Sequence, residues 1–280
     1  MQDDIFKYEL SFGDLSPEAI AESGQCFRMG VRPDGDVSLI AKGQMLIIRR
    51  NKDGGFSFNT TEEVFGSVWK DYFDLDTDYE GFRALIKEDD EFLKTAASFG
   101  TGIRILRQEP FEMLISFIIS QRKTIPAIRT AIERLCESFG TKRYFMDTDG
   151  SEKTFYDFPS PEALAGASET ELASCGLGYR LPYVREAAGR CAMGGLSGLE
   201  ELPTAELIER LMDLKGVGIK VASCVALFAY HRLEVSPVDV WMKRVIDSVY
   251  GGSLPEEYAP CAGVIQQYLF NYARMTKLQG

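Results

Sequence analysis

The stretch "LKGVGIK" (Leu214–Lys220) decides how the second half of this chain folds. Before it lies "ELIERLMDL", with Leu207, Ile208, Leu211 and Leu214 at helical spacing; after it comes "IKVASCVALFAY", a second apolar helix. "KGVG" between them is a tight turn, so the three pieces form a helix–hairpin–helix with Gly216 and Gly218 in the hairpin. Glycine removes the Cβ that would block close approach, so backbone N–H groups can face a phosphate oxygen at the positive end of the following helix. Contacts of that kind hold a nucleic acid without reading its sequence. The competing reading is an ordinary glycine turn between two core helices.

Two residues near the hairpin carry chemistry. Lys220 falls in the first turn of the second helix, where the macrodipole disfavours an ammonium group. Partial cover by Val217, Ile219 and Val221 would favour the neutral amine, a nucleophile able to form a Schiff base. Asp239, in "SPVDVWMKRVI" (Ser236–Ile246), opens another helix introduced by Pro237. It reads either as an N-cap or as a carboxylate placed beside a developing cation. Taken singly, a surface lysine and a capping aspartate remain open for the pair.

A net charge of -11 has the wrong sign for a phosphate binder, but it is unevenly spread. Residues 1–100 hold 20 Asp/Glu against 11 Lys/Arg, whereas residues 101–140 hold six basic and four acidic side chains, and residues 214–244 five and two. Nucleic acid responds to local potential within a Debye length of about 8–10 Å, so an acidic first part is compatible with a basic face on the second.

The chain divides accordingly. From Phe27 to Thr61, "FRMGV", "VSLIA", "MLIIRR" and "FSFNT" alternate with the turn signals "PDGD", "KGQ" and "NKDGG", which predicts an antiparallel meander. A helical stretch is expected over about 80–98. From Gly102 onward the pattern is helical: "PFEMLISFIIS" starts at Pro110, "IPAIRTAIERLCESFG" puts Ile125, Ile128, Ile132 and Leu135 on one stripe and stops at Gly140, and "SPEALAGA" opens with a Ser cap and Pro161. The predicted class is α+β: a small antiparallel β-rich N-terminal domain (1–101) and an all-helical helix–hairpin–helix domain (102–280), with part of the N-terminal region packing on the latter.

Composition narrows the function classes. At 45% hydrophobic and 26% charged this is ordinary globular material. No apolar run approaches the roughly 20 residues that span a bilayer, and the acidic opening "MQDDIFKYEL" has no apolar signal core. An intracellular protein is expected, cytoplasmic and on nucleoid DNA if the source is prokaryotic. The six cysteines are scattered without CxxC spacing and His231 is the only histidine, so no side-chain metal site is expected.

Together "LKGVGIKVASC" and "SPVDVWM" resemble the helix–hairpin–helix/Gly-Pro-Asp DNA glycosylases, and most closely the 8-oxoguanine DNA glycosylases. Four further segments carry the likeness, from about residue 20 to 270: "SGQCFRM" (23–29), "PFEMLISFIISQ" (110–121), "GLGYR" (176–180) and "AGVIQQYLF" (262–270). The resemblance implies a DNA repair glycosylase and AP lyase that flips 8-oxoguanine out of double-stranded DNA. It implies Lys220 as the nucleophile at C1′ and Asp239 as its helper. It further implies a base pocket in which Gln266 reads the Watson–Crick edge, Phe270 and Cys224 sandwich the ring, and the Gly24 carbonyl accepts the N7–H that guanine lacks. Cys224 lies four residues after Lys220, and Gln266 and Phe270 are likewise i, i+4, so each pair shares a helix face. Gly216 and Gly218 would hold phosphate, and Tyr179 and Arg180 would wedge into the duplex and meet the orphaned base. A monomer is expected.

The chain also departs from the family pattern. Arg122, Lys123 and Thr124 replace an asparagine-rich loop, Ala127 stands where an arginine reading the opposite cytosine is usual, and Trp241 replaces a histidine. Related glycosylases hold an iron–sulfur cluster on four cysteines near the C-terminus; only Cys261 lies there, so no cluster is expected. The one cofactor left open is a monovalent cation on the hairpin backbone. Alternatives are a monofunctional alkylbase glycosylase, which does not need the Lys220 amine, and a non-catalytic helix–hairpin–helix DNA-binding module.

Overall fold

In the computed structural model, which describes residues 5–277, five strands form one antiparallel sheet in the order β1-β5-β4-β3-β2. They are β1 (Tyr8–Leu10), β2 (Met29–Val31), β3 (Val37–Ala41), β4 (Gln44–Arg50) and β5 (Phe56–Phe58). The first four residues of the acidic opening stretch lie outside the described residues. The meander β2–β5 follows the turn signals. Lys42 and Gly43, between paired Ala41 and Gln44, both have positive φ (52° and 69°), as a two-residue hairpin with mirror-image twist requires. Val37, Leu39 and Ala41 point to one side of β3 and share a core with Leu46, Ile48, Phe56, Phe58 and Trp69. β1, too short to announce itself, closes the far edge against β5.

A second, larger core is built from helices. Pro110–Ser120 runs through it with seven consecutive buried residues, Met113 to Ile119. Ile125–Phe139 packs beside it and stops at Gly140; Leu181–Ala192, Thr204–Met212, Ile219–Phe228, Val240–Val249 and Ala262–Met275 complete it. Ser160 caps the Pro161–Gly166 helix through the Ala163 N–H, as its sequence predicts.

Two expectations change in detail. The single helix over 80–98 is two, Tyr79–Ala84 and Glu91–Phe99, because Asp90 caps the second through the Leu93 N–H and interrupts the first run. Both pack in the helical core, where Tyr79, Leu93, Ala96 and Ala97 are buried, and so form part of the N-terminal region expected to pack there. The second part is not purely helical either. A hairpin, β6 (Lys142–Met146) and β7 (Glu152–Tyr156), interrupts it around the turn Asp147–Ser151. Only Phe155 of its ten strand residues is buried, so it lacks the apolar alternation that signals a strand.

Asp74 ties the two cores together. This buried residue has φ 52°, and its carboxylate accepts from Thr77 (2.9 Å), Tyr79 (3.0 Å) and Arg107 (2.8 Å) while His231 Nε2 lies 3.0 Å away. Burial alone would raise its pKa, but the interactions with His231, Arg107 and Thr77 outweigh burial and hold it below the ordinary carboxylate value. A depressed folded pKa means stability that is present above the unfolded value of about 3.9 and lost as pH falls through the folded one. Asparagine tolerates the left-handed backbone, so Asp74→Asn isolates the charge. It is expected to cost about 3 kcal/mol near neutral pH, a penalty that narrows below about pH 4 in urea unfolding measured across pH. Among the described residues no helix is long and apolar enough to cross a membrane.

Candidate functional site

The helix–hairpin–helix forms as its sequence predicts. Gly216 has φ 82°, and a Cβ there would lie 2.4 Å from the Tyr183 ring, so both backbone and packing require glycine. Gly218 is the N-cap of Ile219–Phe228, with extended backbone and no side-chain cap. A Cβ on Gly218 would meet nothing within 4 Å. The first N–H groups of this helix are therefore unpaired by any capping side chain and open to an anion.

Lys220, on the first turn, faces a cavity of about 640 Å³ between the hairpin, the 120–126 loop and the Ala262–Met275 helix. That size suits a nucleobase-scale ligand. At its floor a recess of about 50 Å³ brings together Gly24, Lys220, Cys224, Asp239, Gln266 and Phe270. Six residues that the sequence nominates separately thus meet at one point. Trp241, Arg122 and Lys123 line the outer cavity instead.

The cover over Lys220 differs from expectation. Val217 and Val221 are buried, but Ile219 is 60% exposed. Phe117 takes its place: Lys220 Nζ lies 5.2 Å from the Phe117 ring centroid, and that ring stacks on Phe228 at 5.6 Å. Burial pushes the Cys224 thiol up, offset in part by the charge and hydrogen bond of Lys220, so it meets a ligand as a neutral, polarisable surface. Asp239 is the N-cap of Val240–Val249, its Oδ1 accepting the Met242 N–H at 2.8 Å. It therefore caps and lines the recess at once.

Gly24 has φ 78°, and a Cβ there would stand 3.3 Å from Phe270 Cε1 and 3.5 Å from Ile125 Cδ1. Any side chain at Gly24 is strained by the left-handed backbone and presses on the ring opposite. Gly24→Ala is expected to cost about 1–2 kcal/mol, seen as a fall of roughly 2–6 °C in Tm. An unchanged Tm would mean that the segment relaxes freely.

The predicted nucleic-acid residues lie around the cavity mouth, and not all are presented as expected. Tyr179 is exposed, its hydroxyl 3.4 Å from the Gln121 carbonyl. Arg180, expected to reach out to a partner base, is only 5% exposed. Its guanidinium donates to the Gln121 carbonyl (2.8 Å from Nε) and to the Leu177 carbonyl (3.2 Å), so here it is an internal strut. Lys123 donates to the Gly176 carbonyl at 3.0 Å, and burial followed by repulsion from Arg180 and Arg134 holds its amine below the ordinary lysine value. Arg122 is exposed at a loop tip, with φ 52°.

Sequence reasoning missed Phe117 and Gln121. Phe117 is one apolar letter in an apolar run. The Gln121 side chain donates to the Gly216 carbonyl at 3.0 Å while its own carbonyl receives Arg180, so it joins the hairpin, the 121–124 loop and the 176–180 turn. Its only signal was its place at the end of the buried helix. Among the described residues no group of three or more His, Cys, Asp or Glu is arranged to hold a metal.

Residues 7–114 match the family described as 8-oxoguanine DNA glycosylase, N-terminal domain, and residues 115–257 match the HhH-GPD superfamily of base excision DNA repair proteins. The chain is 32% identical over 237 residues, 74% of each sequence, to a protein of Methanothermobacter thermautotrophicus named "Probable N-glycosylase/DNA lyase". It is 34% identical over 194 residues to the N-glycosylase/DNA lyase of Saccharomyces cerevisiae, covering 64% of this chain and half of the yeast protein's length. In structure it is similar to the 8-oxoguanine glycosylase/lyase of Clostridium acetobutylicum, solved with double-stranded DNA containing cytosine opposite 8-oxoguanine. That match has a TM-score of 0.87 and 32% identity and covers 98% of this chain and 100% of the other.

Proposed function

The chain belongs to the HhH-GPD superfamily of base excision DNA repair proteins, carrying the N-terminal domain of the 8-oxoguanine glycosylases, and from that premise we propose how its residues divide the work. It is an N-glycosylase/DNA lyase acting on 8-oxoguanine in duplex DNA. The observation that carries the assignment of roles is the recess at the floor of the larger cavity, where one lysine, one carboxylate and the proposed base contacts converge.

Lys220 Nζ attacks C1′ of the flipped nucleotide. The glycosidic bond breaks, its electron pair leaves with the base, and a proton reaches the base nitrogen. The Lys220–C1′ adduct opens to a Schiff base, from which β-elimination cuts the strand. Asp239 stabilises the positive charge that grows at the sugar. Phe270 and Cys224 enclose the ring, Gln266 reads its edge, and Gly24 offers a carbonyl to N7–H. The uncapped N–H groups after Gly218 seat a phosphate. Among the described residues no protein donor meets the carbonyls of Lys215 or Val217, which would be the groups to hold a monovalent cation and could add positive charge beside the phosphate site. The Gly216 carbonyl is taken by Gln121.

Borohydride added to the protein with a duplex holding one 8-oxoguanine tests the reading. A covalent protein–DNA adduct is expected, absent on the undamaged duplex. Base release without an adduct would favour a water-using alkylbase glycosylase, and binding with neither would leave a binding module.

The base left behind is read loosely. Ala127 has no donor and Arg180 is held inside by Gln121 and Leu177, so among these candidates only exposed Arg122 is free to meet it. Each missing charged contact to a base edge removes about 1–3 kcal/mol of discrimination. Single-turnover excision opposite cytosine is therefore expected to exceed that opposite the other three bases by less than about a hundredfold. A thousandfold preference would mean that Arg180 swings out or that Arg122 does the reading.

A further inference from the structure

Gln266 reaches the inner recess, and a line of buried amides decides which end of it faces a base. The Leu106 backbone N–H donates to Gln25 Oε1 at 2.8 Å. A backbone N–H can only donate, so Gln25 has its oxygen on that side and its NH2 group on the other. That NH2 group meets the Arg104 carbonyl at 2.9 Å, Ser23 Oγ at 3.0 Å and Gln267 Oε1 at 3.4 Å. The Ser23 hydroxyl hydrogen goes to the Ile20 carbonyl at 2.8 Å, so Ser23 is an acceptor toward Gln25. Two hydrogens serve three acceptors, which accounts for the one longer contact.

Polarity then propagates. Because Gln25 donates, the atom of Gln267 facing it is oxygen, and Gln267 Nε2 lies on the far side, 3.0 Å from Gln266 Oε1. Gln25 is fully buried, and Gln266 and Gln267 are 4% and 3% exposed, so reversing any one amide leaves donors facing donors with no water to relieve them. Among the described residues no protein acceptor meets the NH2 group of Gln266, which leaves it to the occupant of the recess. The edge of 8-oxoguanine presents the O6 acceptor beside the N1–H donor. The edge of 8-oxoadenine reverses them, with the N6 amino donor beside the N1 acceptor. A fixed amide matches one order and opposes the other; an amide free to turn over accepts both.

We propose that Gln267 is a positioning residue, oriented through Gln25, that fixes the amide of Gln266 and so selects a guanine-type over an adenine-type edge. The inference rests on the proposed base-reading role of Gln266. Its test is single-turnover excision of 8-oxoguanine and of 8-oxoadenine from otherwise identical duplexes. The proteins compared are the wild type, Gln267→Met, Gln267→Leu, Gln266→Leu and the double variant Gln266→Leu/Gln267→Leu. Borohydride trapping on an abasic duplex, which needs Lys220 but no base, normalises each rate for folded enzyme. Both Gln267 variants lack the donor and are expected to lower the 8-oxoguanine to 8-oxoadenine rate ratio by about tenfold or more. Gln267 also borders the recess, and the double variant separates a direct contact from the positioning role: it should match Gln266→Leu alone when Gln267 acts through Gln266. A wild-type ratio in the Gln267 variants alongside a collapsed ratio in Gln266→Leu would overturn the proposal alone, as would additive losses in the double variant. A wild-type ratio in Gln266→Leu would remove the base-reading role itself, and the proposal with it.

Discussion

Lys220→Gln is expected to abolish both release of 8-oxoguanine and borohydride trapping, lowering single-turnover excision by at least about a thousandfold. Glutamine keeps much of the length and polarity of lysine but has no lone pair to offer C1′. The position sits on the first turn of the Ile219–Phe228 helix, facing Phe117 and the recess. In the proposed division of roles phosphate falls to the backbone N–H groups after Gly218, which have no side-chain cap, and not to this side chain. Binding of the damaged duplex should therefore stay within about threefold of wild type in a titration at fixed salt. Retained excision would show that another group attacks the sugar. Lost binding together with lost excision would show that Lys220 anchors the DNA.

Asp239→Asn separates two roles that one residue holds. Asparagine caps a helix about as well as aspartate, and its Oδ1 can still accept the Met242 N–H, so Tm is expected to change by less than about 2 °C. The charge that steadies a developing cation is gone, and excision should fall by about a hundredfold or more. Asp239→Ala gives the complementary result, losing the cap as well at a further cost of about 1 kcal/mol in stability. If Asp239→Asn works at the wild-type rate, the residue is a cap and nothing else.

Much of the fold was legible because its signals are local. The meander announces itself through Lys42-Gly43 and the other turns, and the hairpin through Gly216, which backbone and packing both require. The recess was legible for another reason: i, i+4 spacing puts Lys220 with Cys224 and Gln266 with Phe270 before any tertiary contact is known. What the sequence hid depends on partners far along the chain. Arg180 reads as a surface arginine until the Gln121 carbonyl is seen beside it. Gln267 reads as a neighbour of Gln266 until Gln25 is found behind it. The β6–β7 hairpin has one buried residue among ten and thus no period to detect. The Tyr79–Ala84 and Glu91–Phe99 helices sit in the N-terminal hundred residues but pack with the later ones, and only their contacts reveal which part of that region does so.

Gln121 has a consequence for how the enzyme searches. With its side chain on the Gly216 carbonyl and its own carbonyl under Arg180, it links three separate loops through the protein's own hydrogen bonds. A protein that orders such loops only on contact loses about 0.5–1.5 kcal/mol for each side chain it immobilises at every encounter. Hydrogen bonds within the fold lower that cost, so ordering of these loops is expected to add little to the time spent at each undamaged base. Loosening the clamp would lengthen every stop along a genome in which almost all stops are at undamaged bases.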